Sequence, residues 1–588
     1  MLSWVGKRPL RSVTAFPAQP IEIFDPLGEL KAKPDSGGLL LHGDNKECLA
    51  WLLANGYRGS VNLIYIDPPF DSGADYVRRV SLRGPKGAVK VEGETYSLGE
   101  QIQYTDIWAN DNYLQFMYER LLLLKELLAD GGSFFLHCDS SKGHFLRCIA
   151  DEIFGAENFV NEIVWSYRRW PSDVRAFQAM HDTILFYGKE IAKKRPFLRL
   201  YEEASESYMK RFGGKTQILD EVSGTRKITS EEDTKGMPVR DVWELSIIAG
   251  FKGERVGYPT QKPEEILDRI IRSCSVPGDL VLDGFLGSGT TAAVAQKLGR
   301  RWIGCDINKG AIQTASKRLQ SVIAEQIAAE KNAQSELLSG ADTPPLPAQR
   351  AFRVARVNDY DLQIQHNEAV ALACEHLGVT RIKNDAFFEG LQGKRLVKIV
   401  PFGHPLSPPD LEEIKRELAT RKNDERDVLV VCLGQEHATT AWLADWSKLR
   451  RKGDVPNKIE IVELRTDPKY GRFIAHQPAQ AKVSVKRAGD EMKIVIEDFI
   501  SPSILERLRS QAGLLQPQID DWRAMVDSVM IDPAYKGEVF NIVLSDQPER
   551  KTDLVAGSYA LPAPKGQTTV AIKLTDMLGE EVLITQKI

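Results

Sequence analysis

The stretch Leu63-Ile-Tyr-Ile-Asp-Pro-Pro-Phe70 is the most informative part of this 588-residue sequence. Its first four residues form a short apolar run with β-branched members, which is typical of a buried parallel strand. Asp67 follows where such a strand emerges at its carboxyl end, the edge at which open α/β sheets bind ligands. The two prolines after Asp67 have no backbone N–H and stiffen the chain. A carboxylate, a fixed carbonyl and the Phe70 ring together suit a planar group that carries an amino substituent.

A second stretch, Asp279-Leu-Val-Leu-Asp-Gly-Phe-Leu-Gly-Ser-Gly-Thr-Thr291, predicts another buried strand that runs into a glycine-rich turn and a helix. A phosphate-binding P-loop needs a lysine directly after its last glycine, and Thr290 stands there instead. The dinucleotide pattern Gly-x-Gly-x-x-Gly also fails, because the close glycine pair comes at the end of this turn. The turn therefore indicates a close chain approach to a ligand other than a triphosphate or a dinucleotide.

Together, the two stretches resemble the amino-methyltransferases of DNA, which move a methyl group from S-adenosylmethionine to an exocyclic amine. In that family the Asp-Pro-Pro-Tyr/Phe motif is catalytic and the glycine-rich motif binds the cofactor. The catalytic motif comes first here, as in the β class, and the resemblance covers about residues 39–320. It implies an α/β fold with a Rossmann-like, S-adenosylmethionine-dependent methyltransferase sheet. One departure is Gly284, where the family usually has proline.

The resemblance also implies site residues. The catalytic set is Asp67, Pro68, Pro69 and Phe70. The cofactor set is Asp44, Asp67, Gln261, Lys262, Pro263, Asp283, Phe285, Gly287, Ser288, Gly289, Thr290, Thr291 and Asp306. Asp44 has an alternative interpretation as a helix-capping residue beside Asn45, which is itself expected to cap a helix over 46–54. Asp306 ends the strand after the glycine turn, where a strand–helix–strand unit brings a carboxylate to ribose hydroxyls.

A region rich in both basic and aromatic residues lies between the two motifs, where the β class has its target-recognition region. Lysine and arginine neutralise phosphates, and aromatic rings stack on bases. The predicted DNA-binding residues are Lys193, Lys194, Arg195, Arg199, Lys210 and Arg211. Acidic residues are interspersed, so a solvated insertion without DNA contacts is the alternative.

Composition limits the other possibilities. The formal net charge of −4 excludes a uniformly basic coat, so DNA contacts must come from local patches. The 7 cysteines include no Cys-x-x-Cys pair, which predicts neither a disulfide framework nor a zinc or other metal site and favours a cytoplasmic location. No apolar run is long enough to cross a membrane. The length predicts more than one domain.

The predicted organisation has six parts: an irregular N-terminal arm at 1–36, the catalytic half of the core at 37–187, a target-recognition insertion at 188–257, the cofactor half at 258–325, a linker at 326–350 and a C-terminal α/β extension at 351–588. The segment Met530-Ile-Asp-Pro-Ala-Tyr535 looks like a second catalytic motif, but Ala534 replaces the second proline and no glycine turn accompanies it. We interpret it as a decoy.

The resemblance implies methylation of adenine N6 in double-stranded DNA, within a restriction-modification or phage-defence system. Family members specific for cytosine N4 usually begin the catalytic motif with serine, so Asp67 favours adenine. Cytosine C5 methylation would need a cysteine nucleophile, usually after proline, and the chain has no Pro-Cys pair. Cytosine-N4 methylation and a non-catalytic DNA-binding subunit stay open as alternatives. A homodimer and a restriction or helicase subunit are the protein partners that the resemblance suggests.

Overall fold

A computed structural model provides the structure of the protein. It describes residues 2–4, 7–32, 36–69, 75–82, 90–97, 110–169, 175–190, 196–204, 208–210, 213–219, 226–248, 254–256, 258, 260–335, 349–357, 374, 377–382, 385, 387–400, 406–421, 424–432, 437–448, 457–463, 479–511, 519, 521–548 and 552–588. The chain forms two compact units. The first comprises Met1–Ser72, Leu114–Val357 and Gly537–Val543, and the second comprises Gly73–Tyr113, Asn358–Lys536 and Leu544–Ile588.

The strands are β1 Ala18–Phe24, β2 Gly38–His42, β3 Val61–Ile66, β4 Asp75–Ser81, β5 Lys90–Ser97, β6 Leu128–Cys138, β7 Phe159–Ser166, β8 His181–Gly188, β9 Tyr201–Glu202, β10 Lys215–Leu219, β11 Arg226–Asp233, β12 Met237–Pro238, β13 Val242–Glu244, β14 Leu280–Asp283, β15 Arg301–Asp306, β16 Phe352–Val357, β17 Thr380–Arg381, β18 Gly390–Gln392, β19 Arg395–Ile399, β20 Val428–Cys432, β21 Ile459–Glu463, β22 Gln480–Ala488, β23 Glu491–Ile500, β24 Val526–Asp532, β25 Phe540–Ile542, β26 Leu544–Asp546, β27 Ser558–Pro562, β28 Thr569–Asp576 and β29 Glu581–Lys587.

The α-helices are α1 Glu29–Ala32, α2 Asn45–Ala54, α3 Asn110–Leu127, α4 Gly143–Phe154, α5 Glu264–Cys274, α6 Thr290–Lys297, α7 Lys309–Ser335, α8 Pro408–Thr420, α9 His437–Lys448 and α10 Pro502–Gln511. Short 3-10 helices cover Ala156–Asn158 and Trp522–Met525. No helix among the described residues is long and apolar enough to cross a membrane.

The first unit is built on an 11-stranded sheet with the order β13-β7-β8-β6-β3-β14-β15-β2-β16-β1-β25. Its centre, from β6 to β16, is parallel, and β8 and β1 introduce antiparallel pairs on either side. The central strands are apolar and fully buried, as at Leu40, Ile64 and Leu282. Burial on both faces is what a parallel sheet covered by helices requires. This arrangement is the predicted Rossmann-like methyltransferase sheet.

Several aspartates lie along the carboxyl edge of this sheet. The four adjacent parallel strands β3, β14, β15 and β2 each end at or just before an aspartate, namely Asp67, Asp283, Asp306 and Asp44. The carboxyl ends of parallel strands lie at the same edge of a sheet. Four carboxylates from distant parts of the sequence are therefore brought to one edge.

The N-terminal segment differs from the prediction of an irregular arm. Ala18–Phe24 is a strand that pairs antiparallel with β16 and parallel with β25. Both partners come from more than 300 residues later in the chain, so no local pattern announces the pairing. Phe352–Val357, in the range predicted as the C-terminal extension, pairs with β2 as part of the same sheet. The first unit thus includes chain from both sides of the predicted linker.

The range predicted as the recognition insertion contains two small antiparallel pairs, β10 with β11 and β9 with β12. Its polypeptide adds β13 to the main sheet, in a parallel pair with β7, and it is also anchored to α5. The Leu198 amide donates to the Ser273 carbonyl at 2.7 Å, and Arg269 forms an ion pair with Glu202 at 2.9 Å. Both anchors lie on or beside α5, which follows the insertion.

The second unit contains a five-stranded sheet, β17-β18-β19-β20-β21, and two antiparallel sheets, β22-β23-β27 and β26-β24-β28-β29. Helix α8 packs its apolar side, including Leu411 and Ile414, against Val428 and Val430 of the five-stranded sheet. The antiparallel sheets share a second core around Met492, Phe499 and Ile572, which also includes Leu82. The described part of the segment after the catalytic motif therefore belongs to this unit.

Candidate active site

Asp67 follows the end of β3 and points its carboxylate at Lys262. The two side chains form an ion pair in which the Lys262 ammonium donates to Oδ2 of Asp67. Both are mostly but not fully covered, with 18% and 13% of their side-chain surfaces exposed. Pro68 is buried and Pro69 is half-buried. Phe70, the fourth predicted catalytic residue, lies outside the described residues.

Asp283 ends β14 and is almost completely buried. Its Oδ1 accepts the Phe285 amide at 2.9 Å and its Oδ2 accepts the Thr291 hydroxyl at 2.6 Å, so it ties the two ends of the glycine turn together. Burial raises the pKa of Asp283 to about 7, and the negative charges of Asp67 and Asp306 add to that shift. The Phe285 ring extends from the turn to within 6.2 Å of the Phe116 ring.

The glycine turn has a backbone that requires its glycines. Gly287 and Gly289 have φ values of 52° and 75°, a region that residues with a side chain rarely occupy. A Cβ at Gly289 would lie 2.7 Å from the Cβ of Ala315, so the turn could not pack on α7. Gly284 is different, because a Cβ there would meet only ordinary contacts at 3.8 Å. Its departure from the family pattern therefore costs nothing that the structure shows.

Asp306 ends β15 beside this turn. Its Oδ2 accepts the Gly287 amide at 2.8 Å and its Oδ1 accepts the Asn308 amide at 2.8 Å. Burial raises the pKa of Asp306 to about 6. Each carboxylate oxygen retains a lone pair beyond these bonds, so the group can still accept a ligand hydroxyl.

The remaining two residues of the turn hold it to its surroundings. The Ser288 and Thr290 hydroxyls lie 3.1 Å apart. Arg318 of α7 donates to the Thr290 hydroxyl at 3.0 Å, and that hydroxyl in turn donates to the Lys262 carbonyl at 3.4 Å. The glycine turn is therefore linked directly to the segment that carries Lys262.

Asp44 takes the helix-capping position, and Asn45 does not. Asp44 Oδ1 accepts the Lys46 amide at 2.8 Å, and α2 begins at Asn45 itself. The Asp44 carboxylate also accepts from the buried guanidinium of Arg120 at 2.8 Å. Arg120 additionally donates to the Asn45 side chain, which donates to the Gly284 carbonyl at 3.3 Å. The prediction of Asn45 as the cap was wrong because Asp44 satisfies the helix one residue earlier.

Gln261, Lys262 and Pro263 precede α5. Gln261 has a role within the loop, because its side chain accepts the Val256 amide at 2.9 Å and donates to the Glu254 carbonyl at 2.6 Å. Pro263 is the N-cap of α5, and the helix starts at the next residue, Glu264. Its extended backbone turns the chain into the helix. The contacts of Gln261 and the cap at Pro263 thus fix the loop from which the Lys262 side chain extends.

A chain of buried polar side chains beside Asp67 was not predicted from the sequence. The Tyr65 hydroxyl lies 2.8 Å from Nδ1 of His137, and Nε2 of His137 lies 3.3 Å from Oδ2 of Asp182. The Tyr167 hydroxyl donates to Oδ1 of Asp182 at 3.0 Å, and Arg169 donates to that hydroxyl at 3.2 Å. The available signal was that these residues sit at or near the ends of β3, β6, β8 and β7, which meet at one edge.

The electrostatics of the edge favour a cationic ligand. Asp44 and Asp67 are paired with Arg120 and Lys262, whereas the charges of Asp283 and Asp306 would repel a phosphate. Burial is the main cause of the raised pKa of Asp283 and of Asp306, so a bound cation would stabilise their ionised forms. Among the described residues, no group of three or more His, Cys, Asp or Glu could hold a metal ion. An organic cation suits these side chains.

Of the predicted DNA-binding residues, Arg199 and Lys210 lie in the described part of the chain, and both side chains are exposed. Lys193, Lys194, Arg195 and Arg211 fall outside it. Exposed apolar side chains accompany them, including Phe197, Leu198 and Tyr201. The described part of this region therefore presents both cationic and apolar groups to solvent.

Comparison with known proteins gives a consistent result. A family model described as DNA methylase, whose name covers N6 and N4 methyltransferases, matches residues 61–317. Type II methyltransferase M.HpaI of Haemophilus parainfluenzae is 30% identical over 271 residues, which span 46% of this chain and 71% of that protein. DNA adenine methyltransferase YhdJ of Escherichia coli (strain K12) is 28% identical over 300 residues, 50% of this chain and 86% of that protein.

A third relative extends further along the chain. The Mod subunit of the type III restriction-modification enzyme StyLTI of Salmonella typhimurium is 25% identical over 399 residues. These residues span 55% of this chain and 61% of that subunit.

Proposed function

This chain belongs to the DNA methylase family, and from that membership we propose that it transfers a methyl group from S-adenosylmethionine to the N6 amine of adenine in DNA. The observation that carries the proposal is the position of Asp67. It follows β3 at the carboxyl edge of the parallel sheet, beside β14 and its glycine turn. A carboxylate that can accept a hydrogen bond from an amine thus lies next to a site suited to an organic cation.

The residues at this edge fit S-adenosylmethionine. Its sulfonium and ammonium groups are cations, which the carboxylates at the ends of β3, β14, β15 and β2 would stabilise. The positive φ values at Gly287 and Gly289 let the turn lie close to a ligand. We assign Asp306 to the ribose hydroxyls, and Asp283 and the turn to the amino-acid end. Bound here, the cofactor would supply an electrophilic methyl group on sulfur.

Asp44 has a more restricted role in this proposal. Its carboxylate already accepts from Arg120 and from the α2 backbone, so it has less capacity left for the cofactor's adenine. We assign it to the rim of the adenine site, with Arg120 fixing its orientation. The Phe285 ring, which lies near Phe116, offers an apolar face there.

Asp67 would activate the target amine. The lone pair of an exocyclic amine is delocalised into the ring, which makes it a poor nucleophile. If the Asp67 carboxylate and the Pro68 carbonyl accept its two N–H groups, the lone pair is directed towards the methyl group. The amine nitrogen would become cationic as it takes the methyl group, and it would then lose a proton. A preorganised carboxylate stabilises that developing charge.

The base must leave the duplex to reach Asp67, because its amine is otherwise inside the helix. We assign Phe70 as a stacking partner for the flipped base. We assign DNA contact to the 188–257 region, where Arg199 and Lys210 are exposed. A cationic patch there would neutralise phosphates without reading sequence.

Adenine is preferred over cytosine because of the residue type at position 67. The resemblance associates an initial aspartate with adenine and an initial serine with cytosine N4, and Asp67 is an aspartate. The likeness to a Mod subunit supports a role as the modification subunit of a restriction system, with a restriction subunit as its partner.

The test is to incubate the full-length protein with unmethylated genomic DNA and S-adenosylmethionine that carries an isotopically labelled methyl group. Digestion to nucleosides and mass spectrometry should then detect labelled N6-methyladenine. Labelled N4-methylcytosine would overturn the adenine assignment. Absence of label in DNA, with the protein folded and the cofactor bound, would overturn methyl transfer itself.

A further inference from the structure

We propose that Lys262 is a positioning residue for the catalytic carboxylate of Asp67, and that Asp182, through its hydrogen bond to His137, holds the strand ends around that carboxylate in place. This inference rests on the proposed methyl transfer at Asp67. It replaces the cofactor contact expected of Lys262 with a contact to the group that would hold the target amine.

The ion pair between Lys262 and Asp67 orients the carboxylate. The Lys262 ammonium donates to Oδ2 of Asp67, which fixes the rotation of the carboxylate and leaves Oδ1 to accept an amine N–H. The backbone before α5 holds Lys262 there, since its own carbonyl accepts from Thr290 and Pro263 caps the helix. The ion pair therefore connects the cofactor turn to the catalytic strand.

A further carboxylate, Asp182, lies within reach of the charge of this ion pair. Asp182 faces the same region from β8, and the charge of Lys262 acts on it. Burial opposes ionisation of Asp182, yet hydrogen bonds from His137 and Tyr167 and the charge of Lys262 lower its pKa overall. The Lys262 ammonium therefore contacts Asp67, and its charge also helps to lower the pKa of Asp182.

Hydrogen bonds with His137 and Tyr167 hold Asp182 in place. A carboxylate only accepts, so Nε2 of His137 donates to it, and Nδ1 of His137 lies 2.8 Å from the Tyr65 hydroxyl. The strand register supports this chain of bonds, because His137 lies opposite Ile184 and Asp182 lies opposite Trp165. Tyr65 is two residues before Asp67, so this chain of bonds reaches the strand that leads to Asp67. The hydrogen-bonded chain holds the strand ends around Asp67 in fixed register.

The consequence is a charge arrangement that orients Asp67 before the base arrives. Removing Lys262 would free the carboxylate to rotate and would leave it beside Asp182 and the buried Asp283 without a compensating cation. Catalysis needs the reacting groups to be held within a narrow range of geometry. We therefore expect the loss of Lys262 to reduce the rate of the bound complex rather than cofactor affinity.

The experiment compares Lys262→Met with the wild type in single-turnover methyl transfer and in calorimetric cofactor binding. The rate should fall by roughly tenfold to a hundredfold, the scale of a hydrogen bond to a charged group, with cofactor Kd within about threefold. Lys262→Arg keeps the cation and should restore part of the rate. Lys7→Met is the matched control: Lys7 is similarly covered and forms an ion pair with Glu152 at 2.7 Å, outside the site and outside the 188–257 region. Its rate should match the wild type.

Asp182 is tested by a double-mutant cycle. Asp182→Asn alone should lower the rate by about threefold to tenfold, and it should have almost no further effect in the Lys262→Met background, because coupled residues are non-additive. Additive effects would overturn the role of Asp182. An unchanged Lys262→Met rate, or a loss confined to cofactor affinity, would overturn the role of Lys262. A wild-type protein that transfers no methyl group to DNA would instead overturn the proposed function.

Discussion

Two strand ends in this molecule have nearly the same sequence and different surroundings. Ile66-Asp67-Pro68-Pro69 follows β3, which has parallel neighbours on both sides, whereas Ile531-Asp532-Pro533-Ala534 includes the end of β24, which has antiparallel neighbours on both sides. Asp67 keeps part of its surface exposed and pairs with an ammonium. Asp532 is 1% exposed, and its Oδ1 accepts the Ala534 amide at 2.9 Å.

The difference shows that an Asp-Pro strand end acquires its chemistry from the neighbouring strands. At a parallel edge, the connections leave the sheet and adjacent strand ends gather functional groups. At the antiparallel end of β24 the chain turns back onto its neighbour: the Pro533 carbonyl accepts the Thr568 hydroxyl at 3.1 Å, and the Tyr535 amide donates to the Thr569 carbonyl at 2.9 Å. Asp532 therefore serves the turn, in agreement with its interpretation as a decoy.

The largest expected effect separates these two aspartates. Asp67→Ala should abolish methyl transfer, because the amine loses its acceptor, while cofactor affinity stays within a few-fold. Asp532→Ala should leave the rate of the folded protein unchanged but should lower the free energy of unfolding by about 1–3 kcal/mol, since a buried hydrogen-bonded group is lost. Radiolabel transfer and denaturant unfolding measure the two quantities. An active Asp67→Ala protein would contradict the proposed mechanism.

The next effect sharpens the comparison within the parallel edge, by asking whether the aspartate of β15 contacts the cofactor. Asp306→Ala should weaken S-adenosylmethionine binding by about 1.5–3 kcal/mol, the range for hydrogen bonds to a charged group. Calorimetry gives the affinity directly. An unchanged affinity would remove Asp306 from the cofactor site and would leave it with a role like that of Asp532, holding backbone amides.

A smaller effect is expected from pH. The pKa of Asp283 is raised to about 7 and that of Asp306 to about 6, so both carboxyls take up protons in the free protein as the pH falls through these values. A cationic cofactor favours their ionised forms. Affinity should therefore be greatest above about pH 7 and should fall by up to about tenfold per pH unit below it, for each proton that must be displaced.

The measurement for this pH effect is calorimetry at about pH 8, 7 and 6, in buffers with different ionisation enthalpies, which reports proton release on binding. Asp283→Asn should flatten the dependence near neutrality. A cofactor affinity that does not vary with pH would mean that these carboxylates lie outside the binding site.

The strands and turns around the site were predictable because they rest on local patterns. The apolar run before Asp67 predicted β3 over 63–66, and the strand covers Val61–Ile66. Similarly, the 279–291 stretch predicted a buried strand before its glycine turn, and β14 covers Leu280–Asp283. The glycine turn was also predictable, since its positive φ values demand glycine.

What the sequence did not reveal depends on contacts between distant residues. Arg120 is a mid-helix residue whose partner Asp44 is 76 positions away, so nothing local marks it as part of the site. The strand in the N-terminal arm likewise needs Phe352–Val357 as its partner. The Tyr65–His137–Asp182 chain requires the strand order, which follows from packing and not from any single segment.

The smallest expected effect extends the comparison to the surfaces of the two units. Arg199→Glu and Lys210→Glu remove exposed cations of the first unit, and Lys482→Glu, whose side chain is 77% exposed, removes one from the second. If the 188–257 region contacts DNA, each change in the first unit should weaken non-specific binding by a few-fold. It should also reduce the slope of log affinity against log salt by about 0.9, because one fewer phosphate is neutralised.

Fluorescence anisotropy with a labelled duplex at several salt concentrations measures both quantities. Lys482→Glu should leave the slope unchanged. The opposite pattern, in which the slope responds only to Lys482→Glu, would transfer the DNA contact to the second unit and would leave the 188–257 region as a solvated insertion.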